Sequence, residues 1–162
     1  MSKDIEDFSW FFRGEFDAVV KTAQLVLGDR QEAQDVAQEA FLRLLRHWKK
    51  VSRFERPDAW VRKVAFRLAL TSRKKRRVHD LLRRDIPAPP DTLDFGDPQL
   101  RQAIAGLSFS QRAAVVLFYF EDRPVTEIAE ILECSTSTAK VHLHKARKKL
   151  AQVMSTEVLH VI

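Results

Sequence analysis

The sequence predicts an all-α protein made of two small helical domains joined by a linker. Three observations carry this. Apolar residues recur every three to four positions through almost every stretch without Gly or Pro, which is the helical period. No segment has the strict alternation or the β-branched density of a strand set. Four of the six prolines crowd into "DIPAPPDTLDFGDPQ", which interrupts the helical pattern once, in the middle. With 162 residues and 45% hydrophobic content the chain can bury one compact core or two small ones, and the interruption favours two. The expected boundaries are 1–84 for the first domain, 85–98 for the linker and 99–162 for the second.

Phe8, Phe12, Phe16, Val19, Val20, Ala23, Val26 and Leu27 outline a first helix that stops at Gly28. Asp29, with Glu32 three residues on, suggests a capping box that starts the second. Val36, Ala37, Ala40, Phe41, Leu44, Leu45 and Trp48 give this helix its apolar stripe. After the breaker "SRFERPD", Pro57 fits the first turn of a third helix, expected to bury Trp60, Val61, Val64, Ala65 and Leu68. Beyond the linker, Leu100, Ile104 and Leu107 mark a short helix, and Ser108 or Ser110 is placed to cap "QRAAVVLFYFED". Pro124 opens a helix through Leu132. Ser135 is placed to cap the last one, where Ala139, Leu143, Ala146 and Leu150 recur at helical spacing.

Charge and cysteine content narrow the function. Lys and Arg outnumber Asp and Glu by 28 to 22, a net charge of +6, which favours a polyanionic partner. The one cysteine, Cys134, has no internal disulfide partner, and "MSKDIEDFSWFF" lacks the basic start and apolar core of a secretion signal. A cytoplasmic protein is expected. Cys134 reads as a small packing residue, since nothing nearby in sequence lowers its pKa. His142 and His144 stand two apart, about 200° around a helix, so they do not share a metal. There is no Cys-x-x-Cys, P-loop or paired-acid arrangement, so neither enzyme activity nor a cofactor is expected.

"VTEIAEILECSTSTAKVHLHKARKKL" sets two amphipathic segments close together across a short turn, the pattern of a helix-turn-helix. With the apolar stripe of the last helix inward, Ser137, Lys140, Val141, His144, Lys145 and Lys148 share the other side. Short polar side chains near the start suit a major groove about 12 Å wide, and cations further on suit phosphates. Lys148 and Lys149, a turn later, would strengthen binding without reading bases. The competing reading is a solvated helix end whose cations favour the C-terminal dipole. A second basic block, "RKKRR" at Arg73–Arg77, extends a helix that already carries Arg62, Lys63 and Arg67. Two basic helices in separate domains suggest one long DNA contacted at two places. The second helix has the opposite character: Glu32, Asp35, Gln38, Glu39 and Leu42 form an acidic strip with an apolar neighbour. That strip would repel DNA and suits water or a basic protein partner.

The run "DRQEAQDVAQEAFLRLLRHW", then "PDAWVRKVAFRLAL" with its basic continuation, a Pro-rich linker and "LSFSQRAAVVLFYFEDRPVTEIAEILECSTSTAKVHLHKARKKL" resembles the extracytoplasmic-function sigma factors. These are two-domain bacterial transcription initiators, and the resemblance runs from about Phe8 to Leu150. It implies a region 2 domain and a region 4 helix-turn-helix domain. Asp35, Gln38, Glu39 and Leu42 match positions that dock on the coiled coil of the polymerase β′ subunit. Phe54 in the "SRFER" loop, with Trp60, Lys63, Arg67, Arg73, Lys74, Arg76 and Arg77, matches the part that opens and reads the promoter −10 element. Ser137, Lys140, Val141, His144, Lys145 and Lys148 match the helix that reads the −35 element. The implied partners are core RNA polymerase through β′ and β, promoter DNA and an anti-sigma factor.

The sequence departs from the family pattern at three places. Arg67 stands where Asn is usual and Thr71 where Asp is frequent; an Arg pairs with guanine or holds phosphate, whereas Asn would sit against a flipped base. Glu133 occupies the turn position usually held by Gly, with a left-handed strain cost or a different turn as the consequence. Two other functions fit some of these features: a sigma-like decoy that sequesters an anti-sigma factor, and a plain helix-turn-helix regulator that never meets polymerase. Cations in both DNA-facing helices favour a working sigma factor over the decoy. The core-docking match disfavours the plain regulator.

Overall fold

The computed structural model describes the backbone of residues 2–83 and 98–153, and the side chains of 3–75 and 98–152. Apart from Pro98, the expected linker at 85–98 lies outside the described residues. Every regular element among them is helical. The chain divides into two compact units, Met1–Asp91 and Thr92–Ile162.

The first unit holds α1 (Ser2–Leu27), α2 (Arg30–Arg46), the single turn α3 (Trp48–Val51) and α4 (Pro57–Arg83). Sequence periodicity predicts three helices here; α3 is the addition, a turn too short to show a period of its own. Gly28 ends α1 at φ 75°, donating to the Gln24 carbonyl at 2.7 Å, in a conformation that costs glycine nothing. Asp29 then caps α2, its carboxylate accepting the Glu32 N–H at 2.9 Å. Aromatic rings join α1 to α2 and to α3. Phe12 and Phe16 pack on Phe41 at 5.2 and 5.5 Å between centroids, and Phe8 and Phe11 pack on Trp48 at 5.6 and 5.4 Å. All but the tilted Phe11–Trp48 pair are edge-to-face, and such pairs add about 0.5–1.5 kcal/mol each beyond the area they bury. From α4, Val61, Val64 and Ala65 enter the core as expected, joined by Ala59, Phe66 and Ala69, while Trp60 and Leu68 stay half-buried.

Arg62 belongs to this interior and not to the basic surface. It is 3% exposed, pairs with Glu15 of α1 at 3.0 Å and donates to the Asp58 carbonyl at 3.2 Å. It ties α4 to α1. Sequence alone groups it with Lys63 and Arg67 because residue type does not reveal which side of a helix carries a buried ion pair.

The second unit holds α5 (Pro98–Ala105), α6 (Phe109–Val115) running into a π-helical turn at Val116–Phe120, α7 (Val125–Ile131) and α8 (Thr136–Val153). Of the two candidate caps, Ser108 starts α6: its hydroxyl accepts the Gln111 N–H at 3.3 Å and the Gln111 side chain accepts the Ser108 N–H at 3.3 Å. Arg112, 7% exposed, donates to the carbonyls of Ile104, Ala105 and Leu107 at 3.1, 2.8 and 3.0 Å. Those carbonyls lie at and just beyond the end of α5, where helix acceptors run out of intrahelical donors, so a buried cation closes the helix. Ala139, Leu143, Ala146 and Leu150 of α8 are all buried, and Ala113, Val116, Leu117, Ile128 and Ile131 complete the core.

Candidate nucleic-acid and protein-docking surfaces

The turn between α7 and α8 is a Schellman closure. Cys134 N–H reaches the Ala129 carbonyl at 2.9 Å and Glu133 N–H the Glu130 carbonyl at 3.2 Å, with Glu133 at φ 55°. The family-like turn is therefore kept with a side chain where a glycine would be relaxed. Cys134 sits half-buried in it, and burial pushes its thiol above the ordinary range. Ser135 caps α8, its hydroxyl accepting the Thr138 N–H at 3.1 Å and donating to the Thr138 hydroxyl at 2.9 Å.

From that cap α8 presents one continuous outer face. Ser137, Lys140, Val141, His144, Lys145 and Lys148 are all exposed, while every fourth or third residue between them is core. The cations that follow divide by direction. Lys149 is not a member of the outer set: its ammonium donates to Gln111 Oε1 at 3.0 Å. Arg147 donates to the Tyr119 hydroxyl at 2.8 Å and lies over the Phe118 and Tyr119 rings at 5.3 and 5.6 Å. Both fasten α8 to α6 and the π-helical turn, which orients the outer face. Charge counting along "ARKKL" misses this, because alternate cations point in different directions.

In the first unit, α4 carries the other basic surface. Trp60, Lys63, Arg67, Thr71 and Lys74 follow one another at three, four, four and three residues, which keeps them on one side of the helix. Arg67 and Lys74 are exposed; Trp60 and Lys63 are half-buried, and Phe54 in the preceding loop is 41% exposed. His47 meets the Trp60 ring edge-to-face at 6.0 Å. The Thr71 hydroxyl donates back to the Arg67 carbonyl at 3.1 Å. Arg73 departs from the expected set. It comes three turns after the buried Arg62, on the same side, and is itself half-buried. The side chains of Arg76 and Arg77 lie outside the described residues.

The outer face of α2 joins carboxylates to apolar surface. Asp35, Gln38 and Leu42 are exposed; Asp35 accepts from the Gln31 amide at 3.1 Å, and Glu39 pairs with Arg43 at 3.1 Å. Leu42 is 51% exposed and Leu45 48%. Leu45 is assigned to the inward stripe by periodicity, yet it stands seven residues after Gln38 and three after Leu42, on the outer face. A stripe edge is where a helical pattern is ambiguous, and the unpaired partner Leu42 was the available signal.

None of the described His, Cys, Asp and Glu residues cluster in a way that could hold a metal ion. No described helix is long and apolar enough to cross a membrane.

The geometry defines the class first: an all-α, two-unit protein whose second unit is a helix-turn-helix with a polar and cationic outer face. Comparison with known proteins narrows it. The sigma-70 region 2 family matches residues 11–79 and the sigma-70 region 4 family residues 98–150. RNA polymerase sigma-E factor of Streptomyces coelicolor is 26% identical over 155 residues, covering 92% of this chain and 86% of that protein. RNA polymerase sigma factor SigV of Bacillus subtilis is 28% identical over 134 residues, covering 81% of each. The sigma factor RpoE, solved with the anti-sigma factor NepR from Bartonella quintana, shares the fold at TM-score 0.69 and 22% identity over 91% of this chain and 96% of that one. The chain belongs to the sigma-70 family, as an extracytoplasmic-function sigma factor. Its role is that of an alternative sigma factor directing transcription initiation.

Proposed function

We propose that the chain docks on core RNA polymerase through the outer face of α2 and reads two promoter elements with α4 and α8, acting in the cytoplasm and leaving the chemistry to polymerase. Its working parts are then a region 2 domain at 1–84, a linker at 85–98 and a region 4 domain at 99–162. The observation that carries this reading is the contrast between surfaces. One helix exposes Leu42 and Leu45 beside Asp35 and Glu39, and two others expose cations and few carboxylates.

On α2, half-exposed leucines that continue the strip carrying Asp35 and Glu39 suit a partner with both apolar and basic surface, such as a basic coiled coil. On α8, Lys140, Val141, His144 and Lys145 stand where base edges would lie, with Lys148 a turn further on for phosphate. On α4, Lys63, Arg67 and Lys74 would track a strand, with Trp60 and Phe54 as stacking surfaces. Arg67 in place of the family's Asn gives the −10 contact a charged hydrogen-bond donor. Arg73, half-buried, contributes less than its place in "RKKRR" suggests. The solved relative RpoE is held by an anti-sigma factor, and control of this chain by such a partner fits the same exposed surfaces. A decoy role is disfavoured, because a sequestering module has no use for the outward cations of α8.

The test separates docking from DNA binding. Asp35→Lys places a cation opposite a basic coiled coil, where like-charge apposition costs several kcal/mol. Core-polymerase capture should fall sharply while duplex binding by the same variant is unchanged. Undiminished capture would remove α2 from the interface.

A further inference from the structure

The outward side of α1 is used by none of these surfaces. At 100° per residue, Lys3, Glu6, Asp7, Arg13, Gly14 and Asp17 all lie within about 60° of Trp10. The buried Val19, Ala23 and Val26 lie on the opposite side. Trp10 is 81% exposed, the five charged residues are exposed, and nothing lies within 4 Å of where a side chain at Gly14 would begin. Among the described residues, none of these side chains forms a hydrogen bond, ion pair or ring contact. An indole standing out of a charged helix face is the kind of anchor around which protein contacts are built.

We propose that this face binds a second copy of the chain, α1 against α1, antiparallel, about a two-fold axis at Trp10. The charge pattern selects this occupant. An antiparallel two-fold brings each residue opposite the one equally far beyond Trp10 on the same flank. Glu6, four residues before Trp10, and Arg13, three after, share a flank and so face each other across the axis. Lys3 and Asp17, seven before and seven after, meet near the seam. Trp10 meets its own copy, and the open surface beside Gly14 gives each indole room opposite Asp7. Symmetry doubles every pair, so four oppositely charged contacts surround two indoles. Parallel pairing would instead set Lys3 on Lys3, Glu6 on Glu6 and Arg13 on Arg13. The face carries two cations and three carboxylates, which gives no reason for DNA to settle there.

Lys3 to Asp17 spans about 21 Å of helix, so the contact is small and the dimer weak and reversible. Exposed ion pairs add little affinity and mainly set orientation, leaving the indoles as the main attraction.

Sedimentation equilibrium of the full chain at low salt tests this. The weight-average mass should climb from monomer toward dimer as concentration rises to about 1 mM. Trp10→Ala should weaken association at least about tenfold, and Glu6→Arg should weaken it severalfold. The double exchange Glu6→Arg, Arg13→Glu restores opposite charges across the axis and should recover association to within about threefold. All three substitutions are exposed, and circular dichroism checks that each variant stays helical. A chain that remains monomeric throughout overturns the proposal. So does a dimer indifferent to Trp10, or a charge exchange that fails to restore what Glu6→Arg removed.

Discussion

Replacing Leu42 and Leu45 together by Ala probes the polymerase-docking face most cleanly, because about half of each side chain stands open and outside the core. Leu42 is 51% exposed and Leu45 48%, so about half of each is open to a partner. Full burial of a leucine is worth about 1.5–3 kcal/mol, so covering the open halves yields about 0.7–1.5 kcal/mol each. The pair then contributes about 1.5–3 kcal/mol, a weakening of roughly ten- to a hundredfold when both are truncated. The inward neighbours Phe41 and Leu44 keep their packing, so the loss of stability should stay within about 3 kcal/mol, the worth of the two covered halves. Glu39→Lys is a less clean choice, since it also replaces the Arg43 ion pair with a like-charged one. The assay is equilibrium binding of labelled chain to core RNA polymerase at fixed salt, beside thermal melting of the same samples. A double variant that binds within twofold of the parent would refute the docking assignment. A loss of stability well beyond that limit would refute the claim that these leucines face outward.

On α8, Lys140→Ala or Lys145→Ala should cost about 1–3 kcal/mol on the preferred −35 duplex and much less on a scrambled one, while Lys148→Ala weakens both alike; competition binding at fixed salt distinguishes them, and equal losses on both duplexes for Lys140 would mean the helix holds without reading. Glu133→Gly relieves a left-handed residue at a Schellman position and should raise stability by about 0.5–1 kcal/mol in urea unfolding, whereas a loss would show that the Glu133 side chain does more than occupy the turn. His142 has its pKa lowered, by burial first and by the nearby Lys145 second. As pH falls the unfolded chain therefore takes up the proton first, near an ordinary imidazole value of about 6.5, and the fold loses stability from there until the lower folded pKa is passed. His142→Gln should flatten that part of the stability–pH curve, and an unchanged slope would contradict the lowered pKa.

Most of the architecture was legible because it rests on local rules. Gly28, Asp29, Pro57 and Ser135 each mark a helix boundary by a backbone or capping requirement that reads directly from residue type, while residue type alone left the α6 cap between Ser108 and Ser110. The outer face of α8 was equally legible, since four small or branched core residues at helical spacing leave only one side for Ser137, Lys140, Val141, His144, Lys145 and Lys148. What escaped were the cations that serve the fold. Arg62 lies in a buried ion pair, Arg112 closes α5 from eight residues away, Lys149 reaches across to α6 and Arg147 to the π-helical turn. Each depends on a partner distant in sequence or on the opposite side of a helix, which neither charge runs nor periodicity encode. Leu45 escaped for a different reason, standing at a stripe edge where 3.6-residue periodicity leaves the direction undecided.

In the proposed role this chain carries polymerase to promoters. The most direct test of that role is transcription in vitro with purified core RNA polymerase, the full chain and a pool of genomic fragments, with sequencing of transcript 5′ ends. Transcription should start, only when the chain is present, at sites that share one −35 and −10 pair, and these starts should disappear with the Leu42→Ala, Leu45→Ala variant. Core binding without any shared start would contradict that role and leave the decoy. No core binding, with duplex binding intact, would leave a plain helix-turn-helix regulator.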